Sequence, residues 1–172
     1  MIVENLKLFL KQLNTKTEQA IARILLSNSM TISVAESCTG GLISSRLTDI
    51  AGSSAYVKEN YVTYSNEAKI KLLGVGKKTL KEYGAVSEEC AKEMAKGLFD
   101  KTGCDVALVT TGIAGPGGAT ETKKVGLLYV AIKNKYKTEV RKFELDPNYN
   151  RKTMKYLFSQ QALEFLDEFL LN

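Results

Sequence analysis

Histidine is absent from this 172-residue chain. That absence removes serine–histidine triads, cysteine–histidine pairs and histidine-ligated metals, so acid–base chemistry near neutral pH must fall to a shifted lysine, a carboxylate, a thiolate or a tyrosine. Cysteine is scarce and odd in number. Cys38, Cys90 and Cys104 show no CxxC spacing, which argues against a disulfide framework or a zinc ribbon and for free thiols. Long apolar runs are missing too: Leu6-Lys7-Leu8-Phe9-Leu10-Lys11 is short and interrupted, so neither a membrane span nor a signal peptide is expected, and the expected location is the cytoplasm. Neither GxxxxGKS/T nor GxGxxG occurs, which disfavours a triphosphate enzyme or a dinucleotide dehydrogenase.

What is present is enough for one well-buried core, with 44% hydrophobic residues and no Pro/Gly/Ser-rich linker to divide it. A formal charge of +5 permits attraction to anionic ligands such as nucleotides. The lysines are scattered and lack the interleaved aromatics of a nucleic-acid groove, so they read as solvated faces and nucleic acid is disfavoured as a partner.

Apolar groups at Ile2, Leu6, Phe9 and Leu10 predict a helix over 2–12, and a second helical pattern runs from about Thr17 to Leu26. Thr31 to Ala35 alternates like a strand, and Glu36 to Gly41 turns into a helix carrying Leu42, Ile43 and Leu47. After Ala51-Gly52-Ser53-Ser54 the Tyr- and Val-rich stretch Ala55 to Tyr64 reads as extended. Ser65 or Asn66 then caps a short helix that Gly74 stops, with Lys69 in its first turn. Ser87 caps the next helix and Gly103 ends it. Asp105 to Thr111 is an apolar strand delivering the loop Gly112 to Gly118. Val125 to Ile132 and Thr138 to Phe143 read as a hairpin across Asn134-Lys135, and the C-terminal stretch is a long amphipathic helix. These elements make a three-layer α/β/α sandwich around a mixed sheet.

Both small-residue loops leave the carboxyl ends of strands, where open α/β sheets form their ligand crevice. The helix after Thr39 offers its N-terminus as an anion site. Glycine-rich loops are as often plain turns, and Ser37, Ser53, Ser54 and Ser65 all sit where serines commonly cap. Ser65 and Lys69 are spaced i, i+4 on one helix face. Cys38 is a nucleophile candidate at a helix N-terminus, although a small buried hydrophobe is the simpler reading. Lys69 is either a surface lysine or a base whose pKa the macrodipole lowers.

Ala35-Glu36-Ser37-Cys38-Thr39-Gly40-Gly41, Ala51-Gly52-Ser53-Ser54-Ala55, Tyr64-Ser65-Asn66-Glu67-Ala68-Lys69, Gly84-Ala85-Val86-Ser87-Glu88 and Thr111-Gly112-Ile113-Ala114-Gly115-Pro116 resemble, in order and spacing, the C-terminal domain of the CinA (competence/damage-inducible) family. The resemblance implies a single amidase-like domain over 15–172, with residues 1–14 as an added helix. Stand-alone members resemble nicotinamide mononucleotide deamidases, which release ammonia from the nucleotide's carboxamide by a serine–lysine mechanism with an acyl-enzyme. Carried over, the resemblance implies Ser54 as nucleophile, Lys69 as base and Tyr64 as a hydrogen-bonding helper. Ser37, Thr39, Gly40, Gly41, Thr111, Gly112, Ala114 and Gly115 would hold the nucleotide and donate to the acyl oxyanion. Arg151 would meet the substrate's phosphate or carboxamide side. No cofactor or metal is implied, and a homo-oligomer, dimer or higher, is expected. The rival expectation is a nucleotide-binding or protein-interaction module linked to competence or recombination, without amidase activity.

Overall fold

A computed structural model describes residues 15–172; the helix expected over 2–12 lies outside the described residues. The elements run α1 (Lys16–Ser27), β1 (Ile32–Glu36), α2 (Leu42–Thr48), a 3-10 turn (Ser53–Ala55), β2 (Val57–Val62), α3 (Asn66–Leu73), α4 (Lys77–Glu82), α5 (Glu88–Thr102), β3 (Val106–Gly112), β4 (Leu127–Lys133), β5 (Thr138–Glu144) and α6 (Arg151–Leu171). They form a five-stranded mixed sheet in the order β2-β1-β3-β4-β5. β1 pairs in parallel with both β2 and β3, while β4 and β5 add on as an antiparallel hairpin.

Period-2 alternation sorts each central strand between two cores. Ile32, Val34, Val106, Leu108, Leu128, Val130 and Ile132 face α1, α2 and α6, whereas Ala35, Ala107, Val109 and Ala131 face α5. Burial on both faces explains why β3 reads as a largely apolar run, whereas β1 alternates because it also buries the polar Ser33 and Glu36. The alanine side lets α5 lie close to the sheet. Gly97 of α5 in turn lies against the end of α3, where a Cβ would stand 1.7 Å from the Leu73 carbonyl oxygen.

The helix boundaries follow their caps. Ser65 Oγ accepts from Ala68 N, Ser87 Oγ from Cys90 N and Asn150 Oδ1 from Thr153 N. Gly74 and Gly103 close α3 and α5 in the left-handed region that glycine enters without strain. Sequence periodicity missed α4, which has no buried residue. Its anchor is polar: the Glu93 carboxylate accepts from Gly76 N and Thr79 Oγ1. No helix among the described residues is long and apolar enough to cross a membrane.

The order β2-β1-β3 places the topological switch between β1 and β3. In doubly wound sheets the crevice outside the carboxyl ends at that point is the ligand site. The loops 37–41 and 113–118 leave those ends.

Candidate active site

A pocket of about 290 Å³ opens between these loops. At its floor is Lys69, carried by α3 and only 1% exposed. Its Nζ donates to Ser37 Oγ at 3.0 Å, to the Thr63 carbonyl at 2.7 Å and to the Tyr64 carbonyl at 3.4 Å. All three partners are neutral oxygens. Burial therefore pushes the Lys69 pKa below the ordinary lysine value, with nearby Cys90 and Cys38 opposing. Desolvation dominates, where the sequence suggested the helix dipole. Once neutral, Lys69 keeps two N–H groups for the two carbonyls and turns its lone pair toward the Ser37 hydroxyl.

Ser37 is the first residue after β1, and Glu36 fixes the loop that presents it. The fully buried Glu36 carboxylate accepts from Gly41 N (3.0 Å), Ile43 N (3.1 Å), Ser44 N (2.8 Å) and Ser44 Oγ (2.7 Å). The N-terminus of α2, expected to take a ligand anion, is thus filled by the chain's own carboxylate. Thr39 is fully buried, with its hydroxyl 2.9 Å from that of Thr110. Gly40 and Gly41 make the turn at φ +62° and +93°. None of Thr39, Gly40 and Gly41 is among the residues lining the pocket, and what the structure shows of them is how they shape the loop.

Ser54 is placed elsewhere. It sits exposed in the 3-10 turn before β2, next to Val57, which pairs with Ile32 at the start of β1. Lys69 is anchored at the other end, where Thr63 N bonds Glu36 O. The intervening strand spans about 20 Å at roughly 3.3 Å per residue, so within one chain Ser54 does not meet Lys69. The serine that does is Ser37.

Tyr64 and Arg151 meet at the rim. Arg151, first residue of α6, donates from Nη1 to the Gly115 carbonyl at 2.6 Å and from Nη2 to Tyr64 Oη at 2.9 Å. The Tyr64 hydroxyl thus serves Arg151, and only its carbonyl touches Lys69. Thr111, Gly112 and Ala114 line the pocket, while Gly115 supplies the carbonyl held by Arg151. Thr111 Oγ1 donates to the Ala85 carbonyl at 2.7 Å, tying β3 to the loop before α5. Sequence reasoning missed Asn66, Ala85 and Val86 as lining residues, and it named Ile113, Gly117 and Gly118 only as part of the loop at the crevice. Apart from Asn66 they offer backbone and small apolar surface, which no reactive side chain advertises.

Cys38 also lines the pocket, but burial pushes its thiol up to about 12, which leaves it a packing residue. Gly112 lets it pack there, since a Cβ on that glycine would stand 2.6 Å from the Leu127 carbonyl oxygen and 3.1 Å from Cys38 Sγ. Among the described residues no cluster of His, Cys, Asp and Glu could hold a metal ion.

Fold and site together define an α/β protein with a buried lysine against a strand-end serine at the switch point of its sheet. The family model of the CinA C-terminal domain matches residues 14–170. A CinA-like protein of Chloroherpeton thalassium is 51% identical over 155 residues, covering 89% of this chain and 37% of that protein. A CinA-like protein of Chlorobaculum tepidum is 47% identical over 154 residues, covering 87% of this chain and 36% of that protein. The chain thus spans little more than a third of the length of these curated relatives. Among solved structures, the competence damage-inducible protein A of Klebsiella pneumoniae superposes with a TM-score of 0.88 at 31% identity, covering 92% of this chain and 97% of that one. The competence/damage inducible protein CihA of Agrobacterium tumefaciens does so with a TM-score of 0.84 at 39% identity, covering 91% and 96%. The chain belongs to the CinA C-terminal domain family.

Proposed function

We propose that the chain is an amidohydrolase converting nicotinamide mononucleotide and water to nicotinate mononucleotide and ammonia, with Ser37 as nucleophile and Lys69 as base. The observation that carries this reading is the 3.0 Å contact between Lys69 Nζ and Ser37 Oγ inside the pocket. A serine hydroxyl is a weak nucleophile until a base takes its proton, and a lysine is a base only while neutral. Burial shifts Lys69 in that direction here.

In the first step the Ser37 proton passes to Lys69 Nζ, the Oγ–carbonyl bond forms, and the carbonyl π pair moves onto oxygen. Collapse of this adduct breaks the C–N bond as Lys69 returns the proton to the departing nitrogen, giving ammonia and an acyl-Ser37. Water then attacks the ester, with Lys69 again taking and returning a proton, and the carboxylate leaves. Arg151, which also lines the pocket, provides the cationic end for the phosphate.

Ammonia release by the wild type and by Ser37→Ala, Lys69→Ala and Ser54→Ala tests this. The first two variants are expected to lose on the order of 10⁴-fold or more in kcat, and Ser54→Ala to stay within a few-fold. Full turnover in Ser37→Ala with loss in Ser54→Ala would move the nucleophile to Ser54 and require a second copy of the chain to deliver it. Comparing kcat/KM across nicotinamide, its riboside and its mononucleotide tests the substrate, since phosphate recognition favours the last.

A further inference from the structure

We infer that a second cavity, walled by α1, α2 and α6, binds a small phosphate ester carrying free hydroxyls, at a site separate from the Ser37 pocket.

This cavity holds about 400 Å³ and shares no lining residue with the pocket of Ser37 and Lys69. Part of its wall is an ion pair removed from water. Glu18 of α1 and Arg46 of α2 are 2% and 7% exposed. Glu18 Oε1 accepts from Arg46 Nε at 2.7 Å and pairs with Nη2 at 2.6 Å. The remaining guanidinium donors are held by α6, Nη1 by Ser159 Oγ at 2.8 Å and Nη2 by Gln160 Oε1 at 2.6 Å. Glu18 Oε2 has no donor. Among the described residues two buried side-chain oxygens lack a partner, Glu18 Oε2 and Asp167 Oδ1, and of these residues only Glu18 lines the cavity. A buried acceptor left unpaired costs its desolvation, so one beside open space is matched to a donor that arrives with a ligand.

The cations of the same wall have the reverse lack. Lys152 and Lys155, in the first turns of α6, line the cavity and have no partner among the described residues. Their i, i+3 spacing puts them on one side of the helix. A ligand that answers both needs brings an anion to the lysines and an O–H or N–H to Glu18. Arg46 already neutralises the Glu18 carboxylate, which leaves little attraction for a second cation and favours a neutral hydroxyl. Asp49, exposed on the same wall, offers an acceptor for another hydroxyl. Two ammonium groups suit a phosphate with its three acceptor oxygens. Hydroxyls on a carboxylate and phosphate on lysines describe a sugar phosphate or a mononucleotide, and the cavity falls within the size range of small-ligand sites.

Calorimetric titration of the full chain with ribose 5-phosphate tests this. It is run in wild type and in Arg151→Ala, which lacks the cationic end proposed for the Ser37 pocket. One equivalent is expected to bind Arg151→Ala. Adding Lys152→Ala and Lys155→Ala is expected to weaken it about tenfold or more, since charge-assisted hydrogen bonds are lost. Ribose and inorganic phosphate should each bind about tenfold or more below the ester, because each answers one end only. Inorganic phosphate binding as tightly as the ester, or ester affinity surviving loss of both lysines, would overturn the site. Glu18→Gln keeps an oxygen for Arg46 but replaces the free acceptor by an amide NH₂, and should also weaken the ester. Should that variant fail to fold, Ser45→Trp fills the cavity from an exposed position on α2 and is expected to abolish binding. Undiminished affinity in Ser45→Trp would refute the placement. AMP as a second probe separates the sources: tighter binding than ribose 5-phosphate assigns a nucleotide, weaker binding a sugar phosphate. Binding to wild type that Arg151→Ala abolishes would move the ligand into the Ser37 pocket and remove this site while leaving the amidase reading intact. Absence of ammonia release would do the opposite.

Discussion

Gly97→Ala sets two effects of opposite sign against each other. In a helix interior, alanine is favoured over glycine by about 0.8–1 kcal/mol, so propensity alone predicts a more stable protein. Geometry predicts the reverse, because the new Cβ would stand 1.7 Å from the Leu73 carbonyl oxygen and 2.6 Å from its carbonyl carbon. Both are backbone atoms and cannot rotate aside. An ordinary contact of roughly 3.4 Å or more requires α3 and α5 to separate by about 1.7 Å, and overpacking of this kind costs typically 1–3 kcal/mol, occasionally more. The expected net is a loss of about 1–2 kcal/mol, read as a lower urea midpoint with an unchanged m value. Activity should suffer more than stability. Lys69, the base of the proposed mechanism, lies on α3 one turn before Leu73, and misplacing a catalytic group by about 1 Å costs on the order of 10²-fold. A variant more stable than wild type and fully active would refute the claim that this glycine sets the position of the base.

On the mechanism proposed, kcat/KM should rise with pH as Lys69 loses its proton and level off below the ordinary lysine value of 10.5, because burial lowers the Lys69 pKa. The same shift makes the fold gain stability as pH climbs from the folded-state value toward 10.5, and Lys69→Met should remove that gain in melts taken across the range. Glu36→Gln places an amide NH₂ among four donors that want a carboxylate, and should cost about 2–3 kcal/mol in urea unfolding; an unchanged midpoint would show the cap to be dispensable. Native protein at pH 8 should leave Cys38 and Cys90 unmodified by a disulfide reagent, since burial pushes their thiols to about 12 and about 11, whereas in denaturant all three cysteines should react at once.

The sandwich was legible because its central strands are buried on both faces and several helices announce themselves by caps: Ser65, Ser87, Gly74 and Gly103 each do what their residue types do. The short α4 was not, since a helix that buries nothing leaves no periodic trace and its Glu93 anchor lies outside it. Lys69 could be found by elimination in a chain without histidine. Its partner could not, because several serines share loop-end positions and only the parallel pairing of β1 with β2 decides which one reaches the lysine. That pairing puts Ser37 and Thr63 at one edge of the sheet and Ser54 at the other. The inward turn of Glu36 was equally hidden, for nothing in the sequence marks its carboxylate as the brace of the loop that follows it.

That brace bears on competition wherever phosphate esters are abundant. A helix end left open would draw inorganic phosphate and every passing nucleotide into the loop beside Ser37, and each visitor would act as an inhibitor. With a tethered carboxylate already seated there, at an effective concentration no free metabolite can match, the loop is indifferent to the surrounding anion pool. On the proposed mechanism, discrimination between ligands then rests on the Arg151 end of the pocket, and that end can be retuned without disturbing Ser37 and Lys69.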